Sequence, residues 1–156
     1  MQKKYGRPDG VDMKKFRNKK TIVKGIEFDS KMEADYYRYL LGRLQAGEIL
    51  QIELQPKIML QPGFKVAGQT VRAITYTPDF LVFYGDGRQE YIDVKGCQSQ
   101  QGNLRYKMYK YMYEKDGGVP LQWITASKKY SDSGWIDYFE LNRIRRKTRK
   151  ENIDAD

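Results

Sequence analysis

The run Ile74-Thr75-Tyr76-Thr77-Pro78-Asp79-Phe80-Leu81-Val82-Phe83-Tyr84-Gly85-Asp86-Gly87-Arg88-Gln89-Glu90-Tyr91-Ile92-Asp93-Val94-Lys95-Gly96 reads as two strands around a tight turn. β-Branched and aromatic residues dominate 71–84, which predicts a strand that Pro78 bends or bulges. Gly85-Asp86-Gly87 is a three-residue loop with glycine where a left-handed conformation is needed, and 88–95 is the return strand. Such a loop pairs Tyr84 with Arg88. Carried along the ladder, that register sets Asp79 directly against Asp93, with Cβ atoms about 4.5–5.5 Å apart. Residues two apart in a strand share a face, so Asp93 and Lys95 project together while Ile92 and Val94 enter the other layer. Asp79 likewise shares a face with Leu81 and Phe83. Opposed carboxylates destabilise a sheet unless something compensates them. A divalent cation does so, and paired carboxylates are hard oxygen donors suited to Mg²⁺ or Mn²⁺. The competing reading is a surface hairpin whose Asp93 and Lys95 are merely solvated.

Upstream, residues 30–46 predict a helix capped by Asp29 or Ser30 and ended by Gly47. Glu33, Tyr37, Leu40 and Leu44 recur at helical spacing, which places Glu33 within the apolar stripe. A carboxylate there needs a partner. It is either a third acid for the cation or the far half of a Ser30-x-x-Glu33 capping box. Before the helix, Thr21-Ile22-Val23 and Ile26-Phe28 form a short strand pair around Lys24-Gly25. After it, 48–61 gives strands broken at Gln55-Pro56, and Gln61-Pro62-Gly63 with Gly68-Gln69 bounds an irregular hairpin.

Beyond Gly96 a polar loop leads to a helix over 103–116, with Leu104, Met108, Tyr111 and Met112 inward and Arg105, Lys107 and Lys110 outward. Leu121-Gln122-Trp123-Ile124-Thr125 is a buried strand. Ser133-Gly134 opens a last helix from Trp135 that ends in Arg143, Arg145, Arg146, Lys147, Arg149 and Lys150. The chain thus divides into a basic, flexible arm (1–20), a central domain (21–142) and a basic helix end and tail (143–156).

The 156 residues carry a net charge of +9, so the expected partner is a polyanion, nucleic acid before membrane. No apolar stretch is long enough to span a bilayer, and the first residues carry no apolar segment of a secretory signal. One cysteine, Cys97, excludes an internal disulfide framework, and a reducing cytoplasm is the expected location. The chain has no histidine. That removes Ser-His-Asp and Cys-His catalysis, His-ligated zinc and imidazole acid–base chemistry. What remains is carboxylate, lysine, tyrosine or metal chemistry. Cations placed for phosphate contact are Lys19, Lys20, Arg72, Arg105, Lys107, Arg143, Arg145 and Arg146.

Thr77-Pro78-Asp79-Phe80, Asp93-Val94-Lys95 and the helical Glu33 together resemble the PD-(D/E)xK, or restriction-endonuclease-like, nuclease superfamily. Gly25 to Glu33, Glu53-Leu54-Gln55-Pro56, Ile74 to Phe80 and Asp93 to Gly96 are similar, more closely, to a phage and prophage family of unknown function related to RecU-type Holliday junction resolvases. The resemblance covers about residues 18–128. It implies an α/β fold with a helix, a three-strand antiparallel meander, a crossover helix and a further strand, here with basic terminal extensions. It implies Glu33, Asp79 and Asp93 as catalytic acids and ligands for Mg²⁺ (or Mn²⁺), with the Val94 carbonyl as a backbone ligand. Lys95 would orient or deprotonate the attacking water, or stabilise the pentacovalent transition state. The implied activity is cleavage of DNA, foremost four-way junctions, by a homodimer in the cytoplasm of a bacterial host. A general or transposition-type endonuclease and an inactive DNA-binding protein are the alternatives. Many junction resolvases have Glu where this chain has Asp93.

Overall fold

A computed structural model describes residues 20–153. The arm expected at 1–20 therefore lies outside the described residues except for Lys20, and so do residues 154–156. The expected α/β class holds: three helices surround a mixed five-stranded sheet, with three small two-stranded sheets beside it.

β1 (Thr21–Val23) and β2 (Ile26–Phe28) form the first hairpin, turned by Lys24 and Gly25 at positive φ. Helix α1 (Lys31–Gln45) follows. Ser30 caps it by accepting from the Glu33 N–H at 3.1 Å. At the other end the Glu48 N–H reaches the Arg43 carbonyl and the Gly47 N–H the Leu44 carbonyl. This Schellman closure needs the left-handed φ of +77° at Gly47. Ala34, Tyr36, Tyr37 and Leu40 bury the inner face, whereas Leu44, on the last turn, stays exposed.

β3 (Ile49–Leu54) is one edge of the main sheet, and β4 (Ile58–Gln61) leaves it after Gln55 turns the chain at φ +48°. β5 (Phe64–Val66) and β6 (Gln69–Val71) make an exposed ribbon; β7 (Ile74–Tyr76) then pairs with β4. The single strand expected over 71–84 is thus three pieces. Residues 77–79 are a break, not a bend, and the main sheet resumes only at β8 (Phe80–Tyr84). Proline has no N–H for a ladder, so the pairing stops where Pro78 would have to donate.

β8 pairs antiparallel with β3 and with β9 (Gln89–Val94), in the register expected from the turn: Phe83 opposite Gln89, Phe80 opposite Ile92. The Tyr84 N–H donates to the Arg88 carbonyl, and Gly87 has φ +85°. Helix α2 (Gln100–Met112) crosses over to β10 (Leu121–Ala126), which runs parallel to β9. β11 (Trp135–Asp137) completes the sheet in the order β11-β10-β9-β8-β3, and α3 (Tyr138–Ile153) follows.

Two expectations for the C-terminal half are corrected. Trp135 belongs to an edge strand and not to the last helix, which begins three residues later with the Asp137 carboxylate accepting from the Glu140 N–H at 2.8 Å. The strand wins because Trp135 packs edge-on against Tyr36 in the core. Helix α2 ends at Met112, with a 3-10 turn at Glu114–Asp116, and it presents a different face from the one expected. Leu104 is 59% and Tyr111 71% exposed, and Met112 is exposed too, whereas Tyr109 is buried and Tyr106 stacks near Trp123. Flat tyrosine rings fill the space above β9 and β10, and each keeps a polar tip that finds a partner. The Tyr109 hydroxyl donates to the Val119 carbonyl at 2.6 Å.

The sheet is buried on both faces. Phe80, Val82, Ile92, Val94 and Ile124 pack against α1 and the first hairpin, while Tyr76, Tyr109 and Leu121 form a second cluster beneath α2. No helix among the described residues is long and apolar enough to cross a membrane.

Candidate functional site

The two aspartates meet where the β8–β9 ladder ends. Tyr91 and Lys95 direct their N–H groups to β10, onto the Pro120 and Ile124 carbonyls at 2.8 Å each. Alternation along a strand then turns the N–H and carbonyl of Val94 toward β8. The residue opposite Val94 in the continuing register is Pro78, which has no N–H to give. The Val94 N–H is met by a side chain, donating to Asp79 Oδ2 at 2.7 Å. The Asp79 carbonyl, in turn, accepts from the Gln55 N–H at 2.9 Å. The ladder therefore ends one pair short of the expected Asp79–Asp93 pairing. Asp79 caps the strand end with its carboxylate.

Asp93 is 4% exposed and has a donor on each oxygen. The Tyr76 hydroxyl donates to Oδ2, and Lys95 Nζ lies 2.8 Å from Oδ1. Asp93 and Lys95 thus share a face as expected, opposite Ile92 and Val94. Tyr76 accepts from Trp123 Nε1 at 2.8 Å, and Lys95 Nζ also sits 5.2 Å from the centroid of the Trp123 ring. Neither Tyr76 nor Trp123 was singled out from the sequence as a site residue. The only hint was position: Tyr76 lies in the Ile74–Phe80 motif, and Trp123 in the strand expected to be buried at Leu121–Thr125.

Glu33 is half-buried and is used by its own helix end, its Oε1 accepting from Ser30 Oγ at 2.8 Å. Its carboxylate is therefore engaged at the helix N-terminus through the Ser30 hydroxyl. Its carboxyl is held above the usual range, chiefly by burial, with Asp29 and Asp93 adding repulsion. Asp79 is raised well above the usual range. Burial is the first cause, then the negative charges of Asp93 and Glu33, opposed by the Val94 N–H and Lys95. The three acids feel one another but do not line one pocket. Asp79 and Glu33 line a small pocket of about 70 Å³ with Phe28 and Gln55. Asp93 and Lys95 line a separate cleft of about 290 Å³ between β7 and α2, with Thr77, Ser99, Gln101 and Arg105. Among the described residues, no group of three or more Asp, Glu, Cys or His side chains is arranged to hold a metal ion.

Of the cations expected to contact phosphate, Arg105 reaches the cleft. Arg72, Lys107, Arg143, Arg145 and Arg146 are exposed away from it, and Lys20 is engaged with Glu27 at 2.6 Å. Lys19 lies outside the described residues. Helix α3 begins beside the site, Phe139 stacking on Trp123 at 5.4 Å, and its basic residues run outward from there at 1.5 Å per residue.

No curated protein and no solved structure matches this chain. The family model described as "Protein of unknown function (DUF1064)" matches residues 13–132, and the chain belongs to that family.

Proposed function

We propose that the chain is a Mg²⁺- or Mn²⁺-dependent endodeoxyribonuclease with a restriction-endonuclease-like core, acting on branched DNA and foremost on four-way junctions. The observation that carries this reading is the end of the β8–β9 ladder. There Asp79 holds the Val94 N–H, lies beside Asp93, and has its carboxyl raised by burial and by its acidic neighbours. Carboxylates held together at that electrostatic cost are hard oxygen donors that a divalent cation would relieve. Asp79, Asp93 and the Val94 carbonyl would hold it, with Glu33 reaching in from α1 once it releases Ser30. When bound, the cation supplies charge neutralisation for the phosphodiester and a more acidic attacking water.

The remaining chemistry belongs to the chain itself. Asp93 fixes the Lys95 ammonium on the cleft wall, where it meets a non-bridging phosphate oxygen or the attacking water as negative charge develops. Arg105 offers a second cation across the same cleft, and the hydroxyls of Thr77 and Ser99 orient sugar–phosphate. The exposed cations Arg72, Lys107, Arg143, Arg145 and Arg146 add contacts that do not read sequence. A four-way junction has two-fold symmetry, and a homodimer with one site per subunit matches it.

The test incubates the protein with labelled four-way junction, flap, duplex and single strand, in Mg²⁺, Mn²⁺, Ca²⁺ or EDTA, with Asp93→Asn alongside. Expected is junction cutting in Mg²⁺ and Mn²⁺, binding without cutting in Ca²⁺, and no cutting by the variant. Preference for another DNA form would move the assignment to a general or transposition-type endonuclease. A second reading, DNA binding without cleavage, draws on the donors already occupying both oxygens of Asp93. Absence of cutting on every substrate and metal would favour it.

A further inference from the structure

Asp93 and three side chains around it close into a ring of contacts. Trp123 Nε1 donates to the Tyr76 hydroxyl at 2.8 Å; that hydroxyl donates to Asp93 Oδ2; Lys95 Nζ lies 2.8 Å from Asp93 Oδ1; and the same ammonium rests 5.2 Å from the centroid of the Trp123 ring. Trp123 and Tyr76 are buried, and neither touches the wall of the small pocket where Asp79 and Glu33 lie. We propose that Tyr76 and Trp123 are positioning residues: Tyr76 fixes the rotamer of Asp93, and Trp123 fixes both Tyr76 and the Lys95 ammonium. The proposal rests on the metal-nuclease reading above and adds to it the residues that preorganise its two central groups.

The physical case has three parts. A carboxylate buried to this degree has little freedom to choose its orientation once each oxygen has a donor. The Tyr76 hydroxyl has one proton, and Trp123, a donor only, obliges it to accept on one side and give that proton to Asp93. The direction of the chain is thereby set. Lysine is a flexible point charge, and an indole face beneath it holds it without consuming a hydrogen bond, leaving its other protons for a phosphate or water. Partners of this kind govern ligand orientation, and their loss weakens metal affinity or activity by roughly 10- to 100-fold.

Tyr76→Phe keeps the ring packed against Tyr109 and removes only the hydroxyl. Tyr109→Phe is the control: it also removes a hydroxyl hydrogen bond, to the Val119 carbonyl, in the same aromatic cluster but without touching Asp93. The experiment measures Mn²⁺ affinity by calorimetry, single-turnover junction cleavage, junction affinity in Ca²⁺, and thermal melting. It is repeated in a Trp135→Phe background, where Trp123 is the one tryptophan left to report metal entry by fluorescence. Both hydroxyl deletions should lower the melting temperature. Only Tyr76→Phe should weaken Mn²⁺ binding and cleavage, each by roughly 10- to 100-fold, with junction affinity changed less than about twofold, and only it should abolish the Trp123 response to Mn²⁺. Equal effects of the two variants, or none on Mn²⁺ affinity from Tyr76→Phe, overturn the positioning role and leave the nuclease reading standing. A wild type that neither binds Mn²⁺ nor changes Trp123 emission overturns both.

Discussion

Asp93 is buried with a donor on each oxygen, Tyr76 on one and Lys95 on the other; Asp79, on the neighbouring strand end, caps the Val94 N–H and faces two other acids. The first carboxylate is neutralised by its own chain. The second is met by the Val94 N–H, but burial and the nearby Asp93 and Glu33 oppose its ionisation. The same residue type, at the ends of neighbouring strands, is thus in one case an anion fixed by its donors and in the other a carboxyl whose ionisation is opposed. If the site serves a cation, Asp79 has the most to gain from it and Asp93 the least freedom to move.

The strongest test of that contrast removes each charge in turn. Asp79→Asn and Asp93→Asn should both abolish metal-dependent cleavage while keeping or improving junction binding, since each subtracts negative charge near phosphate. Full cutting by either variant in a gel assay would end the catalytic assignment. Next in size is Lys95→Ala, expected to slow single-turnover cleavage by at least ~10²-fold with much less effect on affinity. Lys95→Arg should rescue poorly, because a guanidinium is larger and does not act as a base. An equal loss of binding and rate would reduce Lys95 to a phosphate contact.

In the metal-free protein the two aspartates should part company. Asp93→Asn leaves the Lys95 ammonium without its anion in a largely buried position and should cost about 3 kcal/mol, read by denaturant melts. Asp79→Asn keeps an acceptor for Val94 N–H and removes a repulsion, so its melting temperature should rise by about 2 °C. A smaller effect follows from proton linkage. With its carboxyl raised in the folded state, Asp79 holds a proton that the unfolded chain has already released. Its contribution to metal-free stability should therefore be full at pH below the ordinary carboxylate range and be lost as pH rises through the raised one. Asp79→Asn should flatten that slope, leaving the part due to Glu33, which is raised in the same direction. The smallest expected change concerns neither aspartate. Removing the basic end of α3 from Arg143 onward should weaken binding evenly across sequences and flatten its salt dependence by about 0.9 per lost duplex contact. An unchanged slope would make those cations a solvated face.

Much of this site was legible because it is local. A three-residue turn with Gly87 at positive φ fixes the pairing of β8 with β9, and strand alternation then places Asp93 with Lys95 and against Ile92 and Val94. Glu33 is open between capping and ligation by spacing alone, and in the structure its carboxylate accepts from the Ser30 hydroxyl. On α2, Met108 packs inward as expected, but Leu104, Tyr111 and Met112 are exposed, and Tyr106 and Tyr109 face the core in their place. Hydrophobicity alone does not choose between two such stripes; the aromatic cavity over β9 and β10 does.

The sequence by itself determined the elements whose geometry rests on near neighbours: the positive-φ hairpin turns, the Ser30 cap, the Gly47 stop, and the register that brings Asp79 and Asp93 to one strand end. Only the tertiary structure decided that Pro78 splits the strand and sends Tyr76 to a second sheet, that Trp135 pairs at the sheet edge, and that Tyr76 and Trp123, 47 residues apart, converge on Asp93. The reason is physical. Turns and caps are satisfied by backbone groups within a few residues, whereas a buried carboxylate takes whichever donors the packing of distant elements brings to it.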